Sequence, residues 1–175
     1  MLYMKENKGI TITALAIMIV IIIILAGITI TQGSNLIKTT KVETYVTNMI
    51  TIRAKTKVYA EETNAEIWDA SDKPSKRAEL YAKNYKLNES SKDKQTELIS
   101  KVNNKVNGCE CYDITKDALK AMGLNELAEE VNDGDYVVVY DSSNYRNIEI
   151  IYVPGIEYKN VTYYTLSSLQ EAIEK

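Results

Sequence analysis

The stretch from Gly9 to Ile37, with Ile10 to Ile30 (ITITALAIMIVIIIILAGITI) at its heart, decides how the rest of the chain is read. No charged residue appears between Lys8 and Lys38. At 1.5 Å of rise per residue, the 21 residues of Ile10 to Ile30 reach roughly 31 Å as a helix, the thickness of a bilayer's hydrocarbon core. The run is apolar all round, whereas a helix of a soluble core needs only an apolar stripe. A transmembrane helix is therefore expected over residues 10–33, after a leader at 1–9 and before an extracytoplasmic domain at 34–175. The lysines balance across the span, with Lys5 and Lys8 before it and Lys38 and Lys41 after it, so charge alone does not orient it.

Outside the span, composition removes several classes of chemistry. The chain has 175 residues, a net charge of −3 with signs well mixed, and no histidine. Mixed charge offers no footprint for nucleic acid. The absence of histidine removes the usual proton shuttle, the commonest metal ligand and every Ser-His or Cys-His nucleophile pair. Cys109 and Cys111, separated only by Glu110, are too few for a disulfide framework or a four-ligand zinc site. Free thiols, a strained bridge and pairing to another chain all remain open for them. No phosphate-binding glycine loop occurs, no carboxylate pair can be assigned to one face, and no enzyme is expected.

Past the span, Gln32, Gly33, Ser34 and Asn35 break the apolar run, and a bend is plausible at Gly33. Val42, Tyr45, Met49, Ile52, Thr56 and Tyr59 then recur at spacings of three and four. That periodicity predicts an amphipathic helix to about Thr63, with Lys41, Glu43, Arg53, Lys55 and Lys57 largely off its apolar face. Between Asn64 and Asn107 the lysine-rich sequence has helical tendency, with Pro74 in a first turn after Asp72 or Lys73, and a helix capped by Ser90 or Ser91. Trp68 is expected to pack the inner edge of this layer. Thr115 should cap a short helix through Ala118, Leu119 and Met122 that Gly123 stops.

The last third changes period. Tyr136 to Tyr140 and Ile148 to Tyr152 are β-branched and aromatic runs of strand length, joined by a loop over Asp141 to Asn147 and expected to pair antiparallel. Pro154-Gly155 should end the second run. Ile156 to Tyr158 and Val161 to Tyr163 flank Lys159-Asn160, a spacing that fits a tight hairpin. Thr165 should cap a closing helix with Leu166, Leu169 and Ile173 on its face. The expected fold is α+β: a long N-terminal helix packed on a small C-terminal antiparallel sheet, the far side of the sheet partly wet.

The residues at the head of the apolar run carry a resemblance. Lys8-Gly9 followed by Ile10-Thr11-Ile12-Thr13-Ala14-Leu15 resembles the export signal of type IV pilins and type II secretion pseudopilins, in a variant similar to clostridial pilin-like proteins. The resemblance implies a prepilin peptidase cutting between Gly9 and Ile10, N-terminal methylation, and an assembly helix that includes Thr11, Ala14 and Leu15. It also implies a pilin-like fold, single-pass residence in the cell membrane with the C-terminal domain outside, and other pilin or pseudopilin subunits as partners. Ala14 stands where the family usually has a glutamate, which points to a minor rather than a major subunit. The alternative is an uncleaved single-span membrane protein whose outer domain binds a ligand or partner. Asp133-Gly134-Asp135, near Glu129, Glu130 and Asp141, is the one weak candidate for calcium, at Asp133 and Asp135, and turn chemistry explains it as well. The tyrosines at 136, 140, 152, 158, 163 and 164 read as packing residues rather than a ligand platform.

Overall fold

The computed structural model describes residues 40–101, 109–141 and 147–174. The leader, the apolar run and the assembly-helix positions Gly9, Ile10, Thr11, Ala14 and Leu15 lie outside the described residues. Among the described residues, no helix is long and apolar enough to cross a membrane. The chain divides into two compact units, Met1–Lys41 and Val42–Lys175, and the fold that follows is that of the second.

Helix α1 covers residues 40–66. Its stripe falls where the periodicity places it: Val42, Met49, Ile52, Thr56 and Ala60 are buried, and Tyr45, Val46 and Tyr59 pack at its margins. Thr56 is tolerated there because its hydroxyl donates back to the Ile52 carbonyl at 2.9 Å. After a turn comes α2 (Lys73–Leu80), with Asp72 as its N-cap and Pro74 in its first turn. A single π turn, Tyr81–Tyr85, extends α2 and ends at Lys86 in the left-handed region. The remaining elements are β1 (Leu87–Glu89), α3 (Lys92–Lys101), β2 (Cys109–Ile114), α4 (Lys116–Ala121), α5 (Asn125–Glu130), β3 (Tyr136–Asp141), β4 (Ile148–Tyr158), β5 (Val161–Thr165) and α6 (Leu166–Glu174).

The five strands form one antiparallel sheet in sequential order, β1-β2-β3-β4-β5. Alternation splits its side chains between two layers. Tyr112, Ile114, Tyr136, Val138, Tyr140, Ile148 and Ile150 face the layer built by α1, with Ala118, Leu119, Leu127, Ala128, Leu166 and Leu169 of the shorter helices closing its margins. Cys111, Val137, Val139 and Ile151 face the other way, against Leu98 of α3. Residues 136–140 of β3 are buried on both faces, so the far side is drier at the sheet's centre than a sheet wet on one side would be.

Several expectations need correction. β1 and β2 were not anticipated, and neither was α5; α1 runs three residues beyond Thr63. Pro154-Gly155 does not end β4. The strand continues to Tyr158 through an irregularity between Ile151 and Ile156, with Gly155 at φ +84° absorbing the kink. Trp68 does not pack inward, being 75% exposed. The hairpin at Lys159-Asn160 is present, both residues at positive φ (50° and 62°) as a primed turn requires. The caps at Thr115 and Thr165 are present too, accepting from the N–H groups of Ala118 and Ser168. Of the two serine candidates for α3, Ser91 makes the cap contact, with the Lys94 N–H at 3.4 Å, while Ser90 turns to Asp113.

Candidate functional site

The described residues with the most chemistry gather where α1 and α2 meet the sheet. Arg77 is 2% exposed. Its Nη1 donates to Asn64 Oδ1 of α1 at 2.7 Å, and its Nε lies 3.4 Å from Glu110 Oε2 on β2. The Tyr112 hydroxyl donates to the same Glu110 oxygen at 2.9 Å. Tyr81 packs edge-on against Tyr112 at 4.7 Å and tilted against Tyr140 at 5.5 Å. Tyr140 donates its hydroxyl to the Thr56 carbonyl at 3.0 Å, tying the centre of the sheet to the middle of α1. A guanidinium withdrawn from water is costly unless paired and hydrogen-bonded, and here one arginine draws on α1 and β2 at once. Burial pushes the phenols of Tyr81, Tyr112 and Tyr140 above their ordinary value. The π turn places Tyr85 on Tyr59, the rings stacked at 4.0 Å, and its hydroxyl donates to Glu62 at 2.7 Å. Burial first, then Glu62, pushes the Tyr85 phenol up to about 12. Phenols held protonated in this way pack, and those of Tyr85, Tyr112 and Tyr140 donate hydrogen bonds; they are not poised as bases.

A second cluster sits on the opposite face. Asp113 of β2 accepts from Ser90 Oγ at 2.5 Å and from Lys94 Nζ of α3 at 2.8 Å. Lys94 Nζ also donates to the Gly134 carbonyl at 3.0 Å. Gly134 suits this turn because its φ of +79° strains any side chain, and an added Cβ would also crowd Lys94 Nζ at 2.9 Å and Asp113 Oδ2 at 3.1 Å. The cluster clamps α3 and the turn before β3 onto β2.

The calcium candidates belong to that same turn, and the structure gives them turn work. Asp133 Oδ1 accepts from the Lys116 N–H at 2.7 Å, and Asp135 Oδ2 accepts from the Asn132 N–H at 2.8 Å. Glu129 pairs with Lys120 at 2.9 Å. Among the described residues no three His, Cys, Asp or Glu side chains converge as a metal would need. Cys109 and Cys111 are free thiols on one face of β2. Burial raises both, Cys111 to about 12, so neither is an activated nucleophile, and Cys111 is closed to another chain. Of the sheet tyrosines, Tyr136 and Tyr140 are core; Tyr152, Tyr158 and Tyr163 border the α1 layer, and Tyr164 borders the opposite one. Two open hollows, about 360 and 370 Å³, lie beside α5 and beside Lys86 and Asp133.

Sequence reasoning missed both ionic clusters. The linear sequence singles out none of Arg77, Glu110 and Asp113; only their convergence in space with Asn64, Ser90 and Lys94 marks them. Comparison with protein-family models, with curated proteins and with solved structures returns no match for this chain.

Proposed function

We propose that this protein is a pilin-like structural subunit, inserted in the membrane by residues 10–33, cut after Gly9 by a prepilin peptidase, and assembled with like subunits into a pilus or pseudopilus. The observation that carries the reading is the Lys8-Gly9-Ile10-Thr11 signal directly ahead of a 21-residue apolar run. Support comes from the element order that follows: a helix at 40–66 whose apolar stripe lies along an antiparallel sheet. Within the second unit, buried groups serve packing and clamping, in keeping with a structural rather than a catalytic role. Ala14, where such signals usually carry a carboxylate, makes this a minor subunit, because the apolar packing of the span lacks that charge to pair with a neighbour's amine.

Intact-mass measurement of the protein from membranes of its native host tests the reading. The expected mass lacks Met1 to Gly9, and Gly9→Val abolishes the cut, since a branched side chain crowds a peptide that must approach the peptidase closely. A chain found only at full length with the peptidase present refutes the proposal and leaves the uncleaved single-span alternative.

A further inference from the structure

The outward side of α1 and the turn that ends it carry complementary exposed features, an indole with carboxylates at one end and an apolar ridge with lysines at the other. Trp68, the only tryptophan, stands 75% exposed at that turn. Its backbone is nevertheless fixed. Ile67 is buried, its N–H donates to the Thr63 carbonyl at 3.0 Å, the Ala70 N–H closes the turn on Ile67 at 3.0 Å, and Asp72 caps α2. The indole is thus held out to solvent by a rigid support, with Lys73 Nζ 5.6 Å from its ring centroid. Glu61, Glu66 and Asp69, near it in the chain, are exposed. Glu61 and Glu66, in the last turns of α1, oppose its dipole, so they do not stabilise the helix itself.

Ten residues earlier the same helix shows the counterpart. Ile50 and Val58 are 40% and 47% exposed, Ala54 lies exposed between them, and Lys55 and Lys57 are exposed on the shoulders of this ridge. Among the described residues, Lys55, Lys57, Glu61, Glu66 and Asp69 make no salt bridge. We infer that the Trp68 corner of one copy docks on the Val58 ridge of a second copy, indole on Ala54 and Val58, Glu66 and Asp69 against Lys55 and Lys57. The two patches are roughly 15 Å apart along one helix, too far to meet within one copy. Exposed tryptophan on a rigid support is the residue type that anchors interfaces, because little freedom is lost when it is covered. Opposite charges at the rim set the register and make the contact weaken as salt rises. The contact uses only residues 50–73 and stands apart from leader processing.

Zero-length carbodiimide cross-linking of the full chain in membranes, with labelled and unlabelled copies co-expressed, reads it directly. Mixed-isotope peptides joining Lys55 or Lys57 to Glu66 or Asp69 are expected. Their yield should fall by about tenfold or more in Trp68→Ala and in the double variant Lys55→Glu with Lys57→Glu. Co-expressing that double variant with Glu66→Lys plus Asp69→Lys should restore them. All these positions are exposed, so circular dichroism of each variant should match the parent. Absence of mixed-isotope peptides, indifference to Trp68→Ala, or cross-links from the corner solely to other proteins would overturn the inference. The same spectra report the N-terminus: self-contact in an uncut chain would remove the pilin reading and keep this one, and a cut chain without self-contact the reverse.

Discussion

Tyrosine does the work of phenylalanine in this chain, which has thirteen tyrosines and no phenylalanine. At the scale of the residue the consequence is a set of buried hydroxyls whose ionisation opposes folding. Burial pushes Tyr85 and Tyr152 up to about 12 and raises Tyr59, Tyr81, Tyr112, Tyr136 and Tyr140 as well. A group whose folded pKa exceeds its unfolded value of 10.0 binds its proton more tightly when folded. Its stabilisation is complete below pH 10 and is lost as pH rises through about 12. Stability in urea should therefore hold near neutrality and fall steeply above pH 10, with tyrosinate absorbance appearing together with unfolding. Tyrosinate forming first, in a chain that stays folded, would show that these rings are not sealed by packing. Of these, the sequence identified Tyr59, Tyr136, Tyr140 and Tyr152 as packing residues. It could not show which were sealed, because that depends on α1 and α2 lying across them.

At the scale of the element, alternation and turn chemistry were legible where they were local. The β3–β4 pairing, the primed turn at Lys159-Asn160, and the caps at Thr115 and Thr165 need only neighbours in sequence. β2 was illegible because its run, Cys-Glu-Cys-Tyr-Asp-Ile, carries two acids that discourage a strand. They are accommodated because Arg77 reaches Glu110 from α2 and Lys94 reaches Asp113 from α3. β1 is three residues long, too short to show a period. The β4 irregularity supplies a comparison between two glycines at nearly the same φ. At Gly155 an added Cβ would meet Thr162 Cγ2 at 2.6 Å and Tyr164 Cε1 at 2.9 Å; at Gly123, φ +86°, it would meet nothing within 4 Å. Gly123→Ala should cost about 1 kcal/mol, the backbone strain alone. Gly155→Ala should cost roughly 2–4 kcal/mol, strain plus overpacking of the hairpin. Urea unfolding of the two variants separates the terms, and equal losses would show that β5 gives way freely.

At the scale of the whole molecule, α1 is half of a core rather than a stalk. Met49 and Ile52 are fully buried between the helix and the sheet, and each should cost about 2–5 kcal/mol on truncation to alanine. A chain starting near Ser34 keeps this stripe and should be soluble, monomeric at high salt and cooperative in unfolding. One starting near Asn64 exposes Tyr136, Val138, Tyr140, Ile148 and Ile150 and should aggregate. Equal urea midpoints for the two would show that the sheet does not need the helix.

The sequence alone determined what short-range physics controls: the apolar run, the amphipathic period of α1, the two strong strands, the hairpin, the caps, and hence an α+β chain with a helix ahead of a sheet. Tertiary structure decided the five-stranded order, the covering of the far face by α3, and the exposure of Trp68. It also decided the burial of Arg77. An arginine in a lysine-rich helix looks solvated from its neighbours, and only packing that brings Asn64 and Glu110 to its guanidinium makes its burial affordable. Strands whose polar residues are neutralised from other elements stay hidden in a linear reading for the same reason: the compensating charge lies far along the chain and close in space.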